Sequence, residues 1–184
     1  MRECFRKINR TYLDGAVYFV TTVTDKRKPY FSSKTLRNLL IKIIEVNAAT
    51  TKFILLAYAI LPDQMHVLLK VDSNKNISEI MRSIKTNFSR EANRVIGNKI
   101  DPIDEVSRPR LYVVNAKHLR KEYSKEKKKL SRFRWQKSFQ DRVIVSEKDL
   151  SNCLEYIRFN HLKYGLSKKD VSIYVNINAI NNSL

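Results

Sequence analysis

The stretch that decides the fold is "KFILLAYAILPDQMHVLLKV", Lys52 to Val71. Two apolar runs of strand length are separated only by Pro62, Asp63 and Gln64. So short a connection leaves an antiparallel hairpin as the simplest reading. Neither run alternates cleanly with polar residues, which marks both strands as central. Side chains two apart on a strand share a face. Gln64 and His66 therefore project together, with Met65 in the opposite layer.

Working outward, "AVYFVTTVT", Ala16 to Thr24, follows an Asp14-Gly15 turn signal and is rich in β-branched and aromatic residues, which predicts a first strand. A basic loop, Asp25 to Tyr30, comes next. From Ser33, a candidate cap, Leu36, Leu39, Leu40, Ile43 and Ile44 fall on one face of a helix. "NISEIMRSIKTNFSREANRVIG" predicts a second amphipathic helix ending at Gly97, with Ile77, Ile80, Met81, Ile84, Phe88, Ala92 and Val95 inward and Arg82, Arg90 and Arg94 on the far side.

Residues 98–132 are the least regular part. Their segment "KHLRKEYSKEKKKLSR" holds eight Lys or Arg against two Glu. It reads as a basic insertion, either a solvated charged loop or an arm that tracks phosphates. His118 within it has no partner at ligand spacing and reads as a surface residue. "RFRWQKSFQDRVIV" returns to the sheet. "SEKDLSNCLEYIRFNHLKYGL" then opens at Ser146 with Asp149 three residues on and closes at Gly165, a helix with capping signals at both ends. From Ser167 an Asn-rich tail follows, in which "VSIYVNI" is a candidate edge strand.

The order β, α, ββ, α, β, α predicts an α+β, ferredoxin-like sandwich, with helices on one face of an antiparallel sheet. The expected organisation is one domain over residues 1–166, carrying the basic insertion at about 98–132, and a C-terminal tail over 167–184. A chain of 184 residues with 43% apolar content suits a single core.

The formal charge is +18, from 36 Lys and Arg against 18 Asp and Glu. That field attracts polyanions, of which nucleic acid is the commonest met by such a domain. Cys4 and Cys153 match no zinc spacing, so a disulfide scaffold or zinc finger is not expected and a reducing, cytoplasmic location is. No apolar run approaches the roughly 20 residues that span a bilayer, so no membrane partner is expected.

On the last long helix Leu150, Cys153, Leu154, Ile157 and His161 form the apolar stripe. Tyr156 and Asn160, four apart, stack together at its margin. A hydroxyl and an amide then face one volume. That spacing alone is common.

The ordered set "YFVTTV", "YAILPDQMHVLLKV" and "WQKSFQDRVIVSEKDLSNCLEYIRFNHLKYGL" resembles the REP-associated tyrosine transposases, relatives of the single-tyrosine HUH transposases of small insertion sequences. The resemblance runs over residues 16–96 and 133–166. It rests on Leu61-Pro62, Gln64-Met65-His66, Trp135-Gln136, Phe139, Asp141-Arg142, Ile144, Tyr156-Ile157, Asn160 and Lys163 with Gly165.

The resemblance implies an HUH endonuclease-type fold and a protein that binds hairpin-forming single-stranded DNA. It also implies cleavage and rejoining through a 5′-phosphotyrosine link, with Tyr156 as the nucleophile and Mg²⁺ or Mn²⁺ held by Gln64, His66 and Asn160. Two positions depart from the family pattern. Gln64 stands where the first HUH histidine is found, and His161 where a Pro usually follows the Asn.

A Gln carbonyl suits oxygen-loving cations but is neutral and more flexible than imidazole, so weaker metal binding is expected. Asp63 could add a carboxylate only if the Pro62 turn bends the chain. His161 is angled toward the core stripe rather than toward Tyr156. The cations expected at DNA are Lys26, Arg27, Lys28, Arg82, Lys85, Arg90, Arg134 and Arg142. Two alternatives stand beside the transposase: a DNA-hairpin-binding protein of the same fold that has lost catalysis through Gln64, and an unrelated ferredoxin-like protein with a small-molecule or protein partner. The resemblance leaves monomer and homodimer both open.

Overall fold

The protein is described here by a computed structural model covering residues 15–72, 75–97, 116–126 and 130–181. Among the described residues five strands form one open antiparallel sheet. They are β1 (Val17–Val23), β2 (Ile54–Leu61), β3 (Gln64–Lys70), β4 (Gln140–Val143) and β5 (Ser172–Val175), in the order β4-β1-β3-β2-β5. The β2–β3 hairpin turns on Pro62 and Asp63, with Leu61 opposite Gln64. β1 then pairs with β3 so that Thr21 lies opposite His66.

Helix α1 (Lys34–Thr51) starts where Ser33 Oγ accepts from the Leu36 backbone N–H at 3.2 Å. Helix α2 (Ile77–Ile96) carries a capping box that the sequence reading did not single out. Asn76 Oδ1 accepts from the Glu79 N–H, and Glu79 Oε2 accepts from the Asn76 N–H. It stops at Gly97, whose φ of 93° is the left-handed conformation that closes helices. Helix α3 is Ala116–Lys125, helix α4 is Glu147–Lys163 and the short α5 is Ile177–Asn181. Ser146 Oγ caps α4 through the Asp149 N–H at 3.1 Å.

The antiparallel α+β sheet is as expected, but its helices are not confined to one face. Tyr18, Val20, Ile60, Met65, Val67 and Leu69 pack with α1 and α2 in one cluster. Val17, Leu56, Ala59, Leu61 and Leu68 pack on the opposite face with Leu150, Cys153 and Ile157 of α4 and with Ile180 of α5. The unbroken apolar character of β2 and β3 has this cause: a strand covered on both faces has no side on which to place polar residues.

Two further expectations change. Within the basic insertion, α3 packs on α2 and α1, with Tyr123 buried and Glu126 Oε1 accepting from the Thr35 N–H and Oγ1 at 2.8 and 2.7 Å. Residues 98–115 and 127–129 of that insertion lie outside the described residues. With a second face of α2 covered, Arg90 is buried at 7% exposure and Arg94 pairs with Glu91 at 2.8 Å, so neither lies on an open far side. The tail supplies β5, which pairs with β2 (Tyr58 opposite Tyr174), while Arg37 Nη2 donates to the Lys169 carbonyl at 3.0 Å.

Candidate active site

The site forms where α4 crosses the sheet face carrying the odd-numbered residues of β1 and the even-numbered residues of β3. Strand periodicity puts Phe19 and Thr21 beside His66, and helix periodicity puts Tyr156 and Asn160 above it. Asn160 Nδ2 donates to His66 Nε2 at 3.0 Å. With that nitrogen accepting, Nδ1 carries the ring proton and donates to Thr21 Oγ1 at 2.8 Å. The Phe19 ring lies 5.7 Å away, nearly parallel to the imidazole. The Tyr156 ring stands edge-on to both, 5.1 Å from His66 and 5.8 Å from Phe19 between centroids.

Burial acts on both titrating groups. His66 is 2% exposed, and desolvation pushes its pKa down to about 4, so the ring is neutral near pH 7 and its Nε2 lone pair accepts from Asn160. The Tyr156 hydroxyl is pushed above the ordinary phenol value, first by burial and then by the neighbouring Tyr164, with the Asn160 amide opposing. Lys163 Nζ sits 5.6 Å from the centre of the Tyr156 ring, a cation–π contact.

Among the described residues no group of three or more His, Cys, Asp or Glu side chains could hold a metal. His66 and Asn160 nonetheless fit two adjacent corners of an octahedron. Bonds of ~2.1 Å at right angles separate neighbouring ligands by ~3 Å, and the two side chains are 3.0 Å apart. Asn160 Oδ1 is buried without a hydrogen-bond partner, and rotating the amide exchanges it with Nδ2. Gln64 is buried on the same face, two residues from His66, and no hydrogen bond of its side chain is recorded among the described residues. Asp63 is not a further ligand, because its carboxylate takes Arg27 Nη1 at 3.0 Å. His161 is buried on the β5 flank of α4, away from the Tyr156 side, so the structure supplies no substitute imidazole there.

The expected DNA contacts separate into groups. Lys26, Arg82 and Arg134 are exposed and make no side-chain hydrogen bond or ion pair among the described residues. Arg27 is held by Asp63, Lys28 donates to Ser131 Oγ at 2.9 Å, and Lys85 donates to the Gln136 and Ser138 carbonyls. Arg142 is half exposed beside the site. Its guanidinium donates to Asp149 Oδ1 at 2.5 Å and to Cys153 Sγ at 2.8 Å, and packs 5.7 Å from the Phe19 ring centre. Arg90 is the correction: a cation at 7% exposure does not meet a phosphate backbone without unfolding its surroundings. Thr21, Phe19 and Lys163 were not singled out as site residues. All three lie in the quoted motifs, but which residues of "YFVTTV" face His66 depends on the β1–β3 register.

The described residues form an open-sheet α+β domain with helices on both faces. A family model described as "Transposase IS200 like" matches residues 13–102. A Haemophilus influenzae protein named as a REP-associated tyrosine transposase is 26% identical over 162 residues, covering 85% of this chain and 76% of its own. A solved structure described as a REP-associated tyrosine transposase bound to a REP hairpin shares the fold, with TM-score 0.52, 21% identity and coverage of 86% of this chain and 74% of that one. A Deinococcus radiodurans crystal structure described as a transposase gives TM-score 0.47 at 18% identity, covering 83% of this chain and 95% of that one. The chain is thus similar to the REP-associated tyrosine transposases, as its motifs indicate.

Proposed function

We propose that this protein binds hairpin-forming single-stranded DNA and cleaves and rejoins it through Tyr156. The observation that carries the reading is the convergence of Tyr156, His66 and Asn160. A nucleophile-bearing ring lies 5.1 Å from an imidazole that is itself 3.0 Å from an amide one helical turn along α4.

In the reaction the Tyr156 oxygen forms a bond to phosphorus as the bond from phosphorus to the 3′ oxygen breaks. The 5′ end remains on the protein and a 3′-hydroxyl is released. Bond energy is kept in the phosphotyrosine, so rejoining needs no external energy source. Tyr156 must lose its proton, which its burial resists and its hydrogen bond with the Asn160 amide favours. Asn160 is then available to orient the phosphate or, with its oxygen turned inward, to join His66 and Gln64 in holding a cation.

A divalent cation there would polarise the phosphate oxygens and stabilise developing charge. Gln64, His66 and Asn160 are all neutral donors, so the DNA phosphate is expected to supply the negative charge that completes such a site. Wild-type protein incubated with hairpin-bearing single strands and Mn²⁺ is expected to give a denaturant-resistant protein–DNA adduct. Tyr156→Phe is expected to give none. No wild-type adduct across hairpins and metals would defeat the reading.

Among the described residues no carboxylate or second imidazole joins His66, which favours one alternative, a hairpin-binding protein of this fold without catalysis. Gln64→His separates the two. Cleavage that appears only in the variant points to the binding protein, whereas strong cleavage in both makes Gln64 a working ligand.

A further inference from the structure

Arg142 lies outside the convergence of Tyr156, His66 and Asn160, yet its contacts lead to two of the three. β4 places it opposite Phe19 of β1, on the sheet face that α4 covers. Because β1 lies between β4 and β3, Arg142 and His66 flank the Phe19 ring, each 5.7 Å from its centre. Tyr156 stands edge-on against the same ring. The guanidinium also donates to Asp149 Oδ1 and to Cys153 Sγ, which lie one helical turn apart on α4. Arg142 thus ties the helix that carries Tyr156 to the strands that carry Phe19 and His66.

Among the described residues α4 has two polar side-chain links to the sheet, this one and the Asn160–His66 bond. If Asn160 turns its oxygen inward and His66 Nε2 gives its lone pair to a cation, the second link is lost. Arg142 is then the polar link that remains. The apolar cluster under α4 still holds the helix down, but apolar burial is non-directional. A planar guanidinium held at two points fixes both distance and direction. We propose that Arg142 is a positioning residue for the strand-transfer reaction proposed above, on which this inference rests. By clamping α4 through Asp149 and Cys153 and backing the Phe19 ring, it keeps the Tyr156 oxygen within reach of a phosphate held beside His66. The competing role is a direct phosphate contact, which the 50% exposure of the Arg142 side chain also suits.

The test separates rate from affinity. Hairpin affinity and its salt slope are measured on the full chain in EDTA. The rate of adduct formation is measured in a single turnover at saturating hairpin DNA and Mn²⁺. Arg142→Gln is expected to leave affinity and slope unchanged while slowing the adduct about 10- to 100-fold, the scale on which a lost supporting contact acts. Arg142→Lys is expected to be nearly as slow, because an ammonium is a point donor without the planar fork. Asp149→Ala is expected to slow the adduct too, and to add little to Arg142→Gln, since both cut one link. Amide hydrogen exchange in EDTA without DNA is expected to quicken in α4 of Arg142→Gln and not in α2.

A phosphate contact predicts other signs. Arg142→Gln would flatten the salt slope, Arg142→Lys would restore most of the rate, and Asp149→Ala, by freeing the guanidinium, would not slow the adduct. Any of these results would overturn the proposal, as would an unchanged rate in Arg142→Gln. Faster exchange in α2 and α4 alike would make Arg142 a residue of overall stability and overturn it as well. If the wild type formed no adduct, the strand-transfer reading would fall and this inference with it. A wild-type adduct indifferent to Arg142 would remove this inference alone.

Discussion

His66 is held at three points: Thr21 on Nδ1, Asn160 on Nε2 and the Phe19 face against its ring. Its pKa of about 4 lies below the 6.5 of an unfolded histidine. Between those values the unfolded chain binds the proton and the folded chain does not, so stability rises with pH across that window. Metal-free protein is expected to lose stability as pH falls from about 6.5 to 4, by on the order of 3 kcal/mol. Denaturant titrations at several pH values measure it, and His66→Asn is expected to flatten the slope.

Thr21→Val keeps the shape but leaves Nδ1–H without an acceptor, so the ring is no longer fixed. Mn²⁺ affinity measured in the presence of hairpin DNA is expected to fall by about 10- to 100-fold, the usual scale for losing the partner that orients a metal-binding histidine. An unchanged affinity would show that Asn160 and Phe19 suffice. At this scale the sequence was informative where periodicity operates. Spacing by two aligned Gln64 with His66, and spacing by four aligned Tyr156 with Asn160. Thr21 was not legible, because which residue of β1 faces His66 depends on register between strands 45 residues apart.

Among elements, α4 does most to couple fold to site. Leu150, Cys153 and Ile157 seat it on the sheet, while Tyr156, Asn160 and Lys163 face the proposed chemistry. Its other neighbour is the tail: Val171 and Ile180 complete the same cluster, and β5 closes the edge of β2. A chain ended after Leu166 would lose those side chains, the ladder to β2 and the Arg37 link to Lys169. Apolar burial alone makes that loss on the order of 5 kcal/mol, a large share of ordinary domain stability. Thermal melting is expected to show a sharply lowered midpoint for such a fragment, and an unchanged midpoint would show the tail to be an appendage.

The strand pattern "VSIYVNI" was readable in the sequence, yet where the strand docks was not. Its partner β2 lies more than a hundred residues earlier in the chain, and edge strands carry a weak periodic signal. The placement of α4 was legible in a different way. Two strands without polar alternation demand cover on both faces, so a sandwich open on one side was the less consistent expectation.

For the whole molecule, a charge of +18 says that a polyanion is attracted but not where it lies. The fold divides the cations by what they already do. Lys26, Arg82 and Arg134 are exposed without recorded side-chain partners among the described residues, whereas Lys28 and Lys85 hold loops together and Arg90 is buried with Nε and Nη2 unpaired. Each phosphate contact to duplex DNA contributes about 0.9 to the slope of log affinity against log salt. If the exposed group meets a hairpin stem, Lys26→Ala and Arg134→Ala are each expected to reduce that slope by about 0.9. Arg90→Met is expected to leave it unchanged. Because an incompletely paired buried cation costs stability, the same Met variant is expected to melt no lower than the wild type. A slope reduced by Arg90→Met would mean that α2 opens when DNA binds, since a guanidinium at 7% exposure reaches a phosphate only if its cover moves.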